Sequence, residues 1–409
     1  MLNVKLAFRN LFRNTRRTLL TMSAMSAATF LLMITLSIND GFLWSMILSS
    51  TDYFHAHIKI TSQKYEDKKD LHHTVSDTID NSFINYSKIK GISPRITSNL
   101  LFSHQKEDKS WSVPAELLGI SPKSEATVTK LHQSVIKGSY ISSLPQQKLV
   151  IGRLLAKSLR AKVGDEIIVM GQGAYGAVAS GLFIVSGIIS TSDNLRDSRL
   201  ALAHIKDVQE ILGLYDQAHY YTASIHRVLE AKEIAKELQH LSTNYHVDSW
   251  RDILEQVSQA LDFWIISQII ILCIFYFAVI LICANTMSMS IMERKYEFAT
   301  LRAIGLTRFS ILKILTLEGV FLSCSAAIIG GVIGLSLSFL LYYYPIDLSS
   351  YFGPLAWGGS SFQPLIRAYP SYFNMFLPVC VMMVLGVITT IYPTIKLLAT
   401  PLNQVMGDR

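Results

Sequence analysis

Apolar residues gather into four long runs along the chain, at residues 18–38, 263–286, 312–342 and 372–392. Each run is near or above the ~18 residues that an α-helix needs to cross a hydrocarbon core of about 30 Å. Between the first and second runs lies a mostly polar block, residues 39–262, which is long enough to bury a core of its own. The pattern predicts an integral membrane protein with four transmembrane helices and a large α+β domain between the first two.

Within the polar block the hydrophobic period changes from segment to segment. Alternating segments predict strands, and segments with apolar residues three and four apart predict helices. The predicted strands are "HIKIT", "SVPAELLGI", "DEIIVM", "GLFIVSGII" and "HYYTASIHRV", and the predicted helices are "GRLLAKSLRA", "IKDVQEILGL" and "VLEAKEIAKELQHL". Gly164 lies in the turn after the first of these helices, where a residue with positive φ is needed.

The glycine-rich stretch "GQGAYG" matches the spacing of a dinucleotide-binding loop at Gly171, Gly173 and Gly176. Such a loop must open a helix, whose aligned amides meet the pyrophosphate. Here a predicted strand follows instead, so we expect these glycines at the tip of a β-hairpin.

The helical pattern continues beyond the membrane on both sides of the polar block. It is carried by Phe42, Met46, Ser49 and Tyr53 after the first run and by Ile253, Val257, Leu261 and Trp264 before the second. The two segments form either a stalk that carries the domain or two ordinary surface helices. We favour the stalk, because no Pro/Gly linker separates either segment from its transmembrane run.

The net charge of +7 is concentrated in three places, which argues against a nucleic-acid-binding surface. Residues 1–17 are basic without any acid, residues 292–313 are basic-rich, and Lys396 follows the last run. The positive-inside rule places these three regions together in the cytoplasm. The first run is longer than the apolar part of a signal peptide, so we expect an uncleaved anchor.

The predicted organisation follows from these patterns. In chain order it is a cytoplasmic amphipathic helix (1–17), a first span (18–38), an external domain with stalk helices (39–262), a second span (263–286), a cytoplasmic segment (287–311), a third span (312–342), an external loop (343–371), a fourth span (372–392) and a cytoplasmic tail (393–409).

The sequence contains no pattern typical of a catalytic or metal site. The cysteines Cys273, Cys283, Cys324 and Cys380 all lie in the apolar runs, so the predicted external domain must fold without disulfides. His55, His57, His72 and His73 lack a ligand spacing, and we expect them to be exposed to solvent.

The segment "MERKYEFATLRAIGLTRFSI", residues 292–311, lies between the second and third runs. Charged side chains alternate in it with Phe298, Leu301 and Ile304, Gly305 is placed to end a helix, and Thr307 to begin the next. A solvated loop has no need of such closely spaced apolar residues. We therefore predict a cytoplasmic helix that docks into a groove of another protein.

Two features of the third run, a glutamate and a group of glycines, indicate contacts with other side chains or helices. Glu318 lies about ten residues into it, and a carboxylate at that depth must be protonated, paired or facing water. It is either a contact inside the helix bundle or a group near the boundary of a tilted helix. Gly330, Gly331 and Gly334 form a face of small residues that allows a neighbouring helix to approach closely, in this chain or in a second subunit.

These segments resemble FtsX-like permeases of ABC transporters, the type VII group that includes MacB and the lipoprotein-releasing LolC and LolE. The resemblance is carried by "MERKYEFATLRAIGLTRFSI", "LTLEGVFLSCSAAIIGGVIG" and "YPTIKLLATPLNQV", and in the predicted domain by "HIKIT", "ISPRI", "LLGISP", "LVIGRLLAKSLRAKVGDEIIV" and "FIVSGIIS". It covers most of the chain in the same order. It implies that the external domain, residues 39–262, is a MacB-like periplasmic domain, that the loop 343–371 is also periplasmic, and that the protein lies in a bacterial inner membrane.

The resemblance implies a non-catalytic membrane subunit whose 287–311 segment is a coupling helix. The ATPase-coupling residues that it implies are Glu293, Arg294, Glu297, Arg302 and Gly305. It also implies a homo- or heterodimer of permeases with two copies of a separate ATPase, which would hold the ATP and magnesium. This chain itself would hold no cofactor or metal.

The cargo and the outer partner stay open. Lipoprotein release would place acyl chains against Phe42, Trp44, Met46, Phe263 and Trp264, which otherwise anchor at the membrane interface. Members like LolC capture a periplasmic carrier with a longer hairpin than the one expected at Gly173, Tyr175 and Gly176. The alternatives are efflux by mechanotransmission through an adaptor and an outer-membrane channel, or regulation of a cell-wall hydrolase.

Overall fold

The computed structural model describes residues 9, 15–63, 74–76, 78–84, 86–191, 193–241, 244–348, 351, 355–357, 360–362 and 365–399. Most of the helix predicted over residues 1–17, His72, His73 and the tail beyond residue 399 lie outside the described residues. The chain divides into two compact units. The helical unit comprises Met1–Leu43, Phe263–Asp347 and Leu365–Arg409, and the α/β unit comprises Trp44–Asp262 and Leu348–Pro364.

Four helices are much longer than the rest, and the apolar runs of the sequence lie within them. In chain order the helices are α1 (Thr15–Ser50), α2 (Asn81–Ile84), α3 (Pro122–Val128), α4 (Arg153–Leu159), α5 (Asn194–Asp197), α6 (Ile205–Leu212), α7 (Ala231–Leu241), α8 (Trp250–Ile253), α9 (Glu255–Glu293), α10 (Lys295–Ala303), α11 (Arg308–Tyr343) and α12 (Tyr372–Ala399). The long helices α1, α9, α11 and α12 are apolar enough to cross a membrane.

The helices α1 and α9 extend beyond the predicted spans, as the stalk interpretation requires. Helix α1 continues past residue 38 to Ser50 and then into a π-turn, Thr51–His55. Helix α9 begins at Glu255, before the predicted start at residue 263. Two of the four chain boundaries between the units fall inside these helices, after Leu43 in α1 and after Asp262 in α9. The stalk itself stays a prediction.

The small residues of α11 are contacted by other helices of this chain. A Cβ atom added to Gly330 would lie 2.3 Å from the carbonyl oxygen of Ser26 on α1, and one on Gly334 would lie 2.9 Å from the sulfur of Met33. A Cβ atom on Gly331 would come within 3.1 Å of a side chain of α12. The neighbours of the glycine face are therefore α1 and α12 of the same chain.

The α/β unit is built on a ten-stranded mixed sheet, and the described residues also contain three two-stranded pairs, one of which belongs to the helical unit. The strands are β1 (Ile58–Ser62), β2 (Val75–Ser76), β3 (Ile89–Lys106), β4 (Lys109–Ile120), β5 (Val135–Gly138), β6 (Lys148–Gly152), β7 (Glu166–Gln172), β8 (Val178–Ile189), β9 (Leu200–His204), β10 (Gln217–Ala218), β11 (Tyr220–Ile225), β12 (Tyr245–Ser249), β13 (Ile346–Asp347), β14 (Leu355–Trp357), β15 (Ser360–Phe362) and β16 (Leu365–Ile366). Strand pairs β4–β9 and β6–β8 are parallel, and the other pairs are antiparallel.

Six strands of this sheet pair in a closed circuit, β3–β4–β9–β6–β8–β7 and back to β3. The remaining strands extend it, with β11, β1 and β12 following one another beyond β3 and β5 beyond β8. Apolar side chains of the circuit pack with α4 and α6 in one core, which includes Leu100, Phe102, Ile151, Leu159, Ile167, Phe183 and Val208.

An ion pair is buried beside this core. Nη2 and Nε of Arg95 donate to the two carboxylate oxygens of Glu125, at 2.6 Å and 3.2 Å. Arg95 also donates to the carbonyl oxygen of Phe54, and the Thr129 hydroxyl donates to Glu125 at 2.6 Å. Burial alone would raise the pKa of Glu125, but the Arg95 charge and these hydrogen bonds hold that pKa below its ordinary value.

The local predictions within the α/β unit are confirmed. Each predicted strand overlaps β1, β4, β7, β8 or β11, and each predicted helix overlaps α4, α6 or α7. Gly164 has a φ of +97°. The "GQGAYG" segment joins the antiparallel strands β7 and β8, so it is a hairpin and not a dinucleotide-binding loop.

The expectation that the histidines are exposed is wrong for both described members, His55 and His57. His55 is half-buried, and its Nε2 is hydrogen-bonded to Arg196. His57 is 7% exposed, and its Nδ1 accepts a hydrogen bond from the backbone amide of Ile225. It immediately precedes β1, which has β11 on one side and β12 on the other, and these strands cover it. Burial lowers the pKa of His57, which favours the neutral ring that can accept this bond.

Candidate functional site

The segment that joins α9 to α11 folds as the short helix α10 with defined ends. Its C-terminus is a Schellman motif, in which the Leu306 amide donates to the Leu301 carbonyl and the Gly305 amide to the Arg302 carbonyl. Gly305 has a φ of +108°, which favours glycine. The Thr307 hydroxyl then accepts from the Ser310 amide and caps α11. Both predicted caps are confirmed.

One side of α10 packs against the ends of the neighbouring long helices. Phe298 is 3% exposed and clusters with Ile291, Ile311 and Leu315. The sequence had led us to expect Phe298 among the side chains that dock with a partner, but Phe298 is buried and does not face a partner. It turns inwards because a helix nine residues long needs an apolar anchor of its own against α9 and α11.

Other residues of α10 and the residue after it expose apolar side chains. Tyr296 is 44% exposed, Leu301 is 36% exposed, and Ile304, which follows the helix, is 76% exposed. Among the predicted coupling residues, Glu293 and Gly305 are also exposed, whereas Glu297 and Arg302 are half-buried. The segment thus combines a packed side with an outward apolar and charged side, the arrangement expected of a helix that docks in a groove.

Arg294 has a different environment from the other predicted coupling residues. Its Nη1 donates to both carboxylate oxygens of Glu318, at 3.1 Å and 3.0 Å, and its Nε donates to Glu297 at 3.3 Å. Its guanidinium lies 5.0 Å from the centre of the Phe298 ring. The side chains of Arg294 and Glu318 are only 11% and 16% exposed. This pair ties the start of α10 to the first third of α11.

The sequence did not predict the pairing of Arg294 with Glu318. The signal for it was present, because a carboxylate so far into an apolar helix requires a cation or a proton. What the sequence lacked was the angle between α10 and α11, which decides whether Arg294 points towards α11 or away from the bundle.

The aromatic residues predicted to line a cargo cavity lie in different environments. Phe42 and Trp264 stack with their ring centres 4.7 Å apart. Phe263 is 66% exposed, Trp44 is half-buried and Met46 is fully buried. Their role as a cargo surface stays a prediction.

The hairpin tip between β7 and β8 is compact. Gly173 is buried and its amide donates to the Ala177 carbonyl at 2.8 Å. Tyr175, with a φ of +58°, is 78% exposed, and Gly176, with a φ of +79°, follows it. Tyr175 is therefore exposed at a tight turn, and the hydrogen bond between Gly173 and Ala177 closes that turn.

Two family descriptions cover most of the chain. The FtsX-like permease C-terminal family matches residues 269–402, and the MacB-like periplasmic core domain matches residues 18–240. The first match contains α10 and its ion pair, and the second contains the ten-stranded sheet up to β11. The two matches follow the two structural units only roughly, because the long helices cross the boundaries between them.

Curated relatives carry the name lipoprotein-releasing system transmembrane protein LolC. The protein from Xylella fastidiosa (strain Temecula1) is 24% identical over 256 residues, which is 60% of this chain and 60% of that protein. The protein from Neisseria meningitidis serogroup B is 24% identical over 272 residues, or 62% of each chain. The chain thus spans about three fifths of the length of the curated relatives it matches.

Among solved structures, the periplasmic region of MacB from Actinobacillus actinomycetemcomitans is 14% identical and covers 52% of this chain and 95% of that one. The TM-score is 0.37. The family matches over residues 18–240 and 269–402 establish the family of this chain. This chain belongs to the FtsX-like permeases with a MacB-like periplasmic core domain, the ABC-permease type of MacB, LolC and FtsX.

Proposed function

We propose that this chain is the membrane subunit of an ABC transporter in a bacterial inner membrane. It couples ATP hydrolysis by a separate ATPase to movements of its α/β unit in the periplasm, and it extracts or releases lipoproteins or similar lipid-like cargo. The cargo class is inferred from the name of the LolC relatives. The observation that carries the coupling role is the outward face of α10, a short helix held between two long apolar helices.

The outward face of α10 fits a docking role by its composition. Apolar residues on a water-facing surface are stabilised when a partner covers them, and Ile304 and Tyr296 are the exposed examples here. Glu297 and Arg302 flank them and would set the orientation of the partner through charge. We propose that Glu293, Glu297, Arg302 and Gly305 contact the ATPase.

Arg294 is proposed to act through Glu318 and not by touching the ATPase. A helix that is docked at one side transmits a movement only if its other side is fixed to the next element. The ion pair to α11 and the Phe298 cluster provide that attachment. Arg294 is then a positioning residue, and a displacement of α10 is passed to α11 and not lost in a flexible joint.

The orientation in the membrane rests on charge. Residues 1–17 and 292–313 are rich in lysine and arginine, and loops with this excess stay in the cytoplasm. With four spans, this charge pattern supports a cytoplasmic location for α10 and both termini and an external location for the α/β unit. A cytoplasmic α10 is what a cytoplasmic ATPase requires.

The exposed apolar surface of α9 is the observation that supports a second permease subunit. Large apolar side chains along it are more than half exposed within this chain, including Phe263, Ile266, Ile270, Ile274, Phe277 and Leu281. Lipid can cover such a face, but a second permease can cover it equally. We propose a homo- or heterodimer with one ATPase on each α10, and acyl chains of the cargo between the two copies near Phe42, Phe263 and Trp264.

A second candidate is efflux by mechanotransmission, as in the MacB group. The match to the MacB-like periplasmic core domain favours efflux, because it covers more of the chain than the match to the FtsX-like permease family does. The compact tip at Tyr175 also offers little surface for capturing a carrier protein. In this case the α/β unit would act on an adaptor and not on lipoproteins.

The coupling role is tested by purifying the full-length chain with its ATPase. We expect the wild type to retain an ATPase, and Arg302→Glu and Glu297→Lys to lose it or to lose its stimulation. Arg227→Glu, an exposed arginine of the α/β unit, is the matched control and should behave as the wild type. Retention and normal stimulation of the ATPase by both α10 variants would overturn the docking assignment.

The cargo class is tested by lipid and protein mass spectrometry of the same complex in nanodiscs. Bound lipoproteins or acylated peptides that are lost in Phe263→Ser, with ATPase activity kept, support lipoprotein release. Ile388→Ser, on an exposed position of α12, is the control. Recovery of an adaptor or an outer-membrane channel without any acylated cargo would favour efflux.

A further inference from the structure

A polar cavity of about 260 Å³ lies within the α/β unit, and the buried Arg95 is part of its lining. Its walls come from the π-turn after α1, from β1, β3, β4, β9 and β11, and from α5 and α8. Basic side chains dominate its polar lining: Lys59, Arg95 and Arg196 face it, against a single carboxylate, Glu116. The cavity therefore has a surplus of positive charge.

The three cations are not equally available to a ligand. Arg95 already holds the carboxylate of Glu125 with two of its nitrogens, so its charge is largely balanced. Arg196 is different. Its Nη2 donates to Nε2 of His55, which is a neutral acceptor, and its guanidinium lies 4.7 Å from the centre of the Phe54 ring. Across the residues that the structure describes, Arg196 makes no ion pair with a carboxylate.

A half-buried guanidinium without a carboxylate has lost part of its hydration and has not regained an opposite charge. An anion in the cavity would supply that charge. Lys59 also lines the cavity, and its ammonium group lies over the ring of Tyr220, 5.2 Å from the ring centre. A second positive group therefore borders the same space as Arg196.

Tyr220 provides a neutral donor beside these cations. Its hydroxyl is hydrogen-bonded to Arg95, and burial raises the pKa of Tyr220, so the phenol keeps its proton. Glu116 is held by the Thr97 hydroxyl at 2.8 Å and is the one group that would repel an anion. Donors therefore reach the cavity from β1, β11 and α5, which are separate elements.

We propose that this cavity binds a single phosphate group, held by Arg196 and Lys59 with the Tyr220 hydroxyl as a further donor. Donors that come from three elements suit a tetrahedral anion, whereas a planar carboxylate is best held by one arginine fork. The volume admits a phosphate with a small substituent and excludes a bulky ligand. The phosphate can be free in solution or belong to a phospholipid headgroup.

The test is equilibrium dialysis of the full-length chain, purified in a sugar-headgroup detergent, against radiolabelled inorganic phosphate. We expect saturable binding of one phosphate per chain. Arg196→Gln should weaken it by about 10-fold or more, the effect of removing one charge-assisted hydrogen bond. Lys232→Gln removes the same formal charge from an exposed position of α7 and should leave binding unchanged.

Glu116→Gln protects the test against a trivial loss through misfolding. It removes the repelling charge and should tighten phosphate binding, a gain that a damaged domain cannot produce. Binding that is unchanged in both Arg196→Gln and Glu116→Gln would overturn the proposal, as would the absence of saturable binding at millimolar phosphate.

Competition identifies the source of the phosphate. If sn-glycerol 3-phosphate displaces the label at least as well as phosphate does, the cavity accepts a lipid headgroup; if it does not compete, the ligand is free phosphate. Acetate that competes better than phosphate would show a carboxylate site and would overturn the assignment. None of these outcomes depends on an ATPase, so the result is independent of the proposed transport function.

Discussion

Each of the two units contains an arginine–glutamate ion pair that is largely buried, but the two pairs differ in their burial and in their further partners. In the α/β unit the side chains of Arg95 and Glu125 are 3% and 1% exposed, and each has a further hydrogen-bond partner. In the helical unit the side chains of Arg294 and Glu318 are 11% and 16% exposed, and Arg294 divides its donors between two carboxylates.

The difference separates a structural contact from an adjustable one. The Arg95 pair joins β3 to α3 with every charge balanced, so any change leaves an uncompensated ion in the core. The Arg294 pair keeps a second carboxylate, Glu297, on the same helix, so the guanidinium can change partners without being left alone. We expect the first pair to govern stability and the second to govern the position of α10.

The largest effect is expected from Glu125→Ala. It leaves the Arg95 charge buried without a carboxylate, which typically costs about 3–5 kcal/mol. Hydrogen–deuterium exchange of the β3 and β4 amides in the full-length protein should show this loss as lower opening free energies. Glu237→Ala breaks the exposed pair with Lys88 and should leave the same amides unchanged. Equal protection in both variants would contradict the structural role of Glu125.

A smaller loss is expected when the wild type is acidified. The pKa of Glu125 lies below its ordinary value of 4.5, so its ion pair contributes stability above that pH. This contribution is lost as the pH falls below 4.5 through the pKa of the folded state. In thermal unfolding between pH 7 and pH 3, the melting temperature of the wild type should therefore exceed that of Glu125→Gln at neutral pH. The difference between the two melting temperatures should shrink as the pH falls. A difference that stayed constant with pH would contradict this assignment.

Glu318→Gln should cost less than Glu125→Ala, about 1–2 kcal/mol, because Arg294 keeps Glu297 and an amide still accepts a hydrogen bond. The sharper readout is functional. We expect α10 to exchange its amide hydrogens faster and the ATPase to stay bound but to lose its stimulation by the permease. Arg294→Lys keeps the charge without the planar fork and should lie in between. Unaltered exchange in α10 would show that the pair does not position it.

The smallest effect is expected from Gly305→Ala. No atom lies within 4 Å of the position of an added Cβ, so the cost is backbone strain at positive φ, about 1 kcal/mol. It should appear as fraying of the last turn of α10 in the same exchange experiment. Gly305→Asn should fray less, because asparagine tolerates positive φ better than alanine.

Much of this architecture is readable from local sequence patterns. The four apolar runs, the strand and helix segments around Gly164, and the caps at Gly305 and Thr307 depend on residues that are neighbours in sequence. Their physical causes, hydrophobic period and backbone conformation, act over one or two turns of chain.

The remaining features depend on residues that are far apart in sequence. Arg95 and Glu125 are separated by 30 positions, Arg294 and Glu318 by 24. The burial of His57 requires β11 and β12, which follow it by well over 150 positions. Each of these contacts is decided by which elements pack together, and a single sequence carries no local signal for that choice.

The closed circuit of strands also limits how another protein can bind. In the ten-stranded sheet only β12 and β5 end a row, and β5 is four residues long with an irregular register against β8. Elsewhere an incoming peptide can continue the sheet at strand segments with a single partner, such as Lys109–Ala115 of β4, which pairs with β3 alone among the described residues. Over the rest of the circuit a partner must recognise side chains, so single surface substitutions there can change the choice of partner without disturbing the backbone pairing.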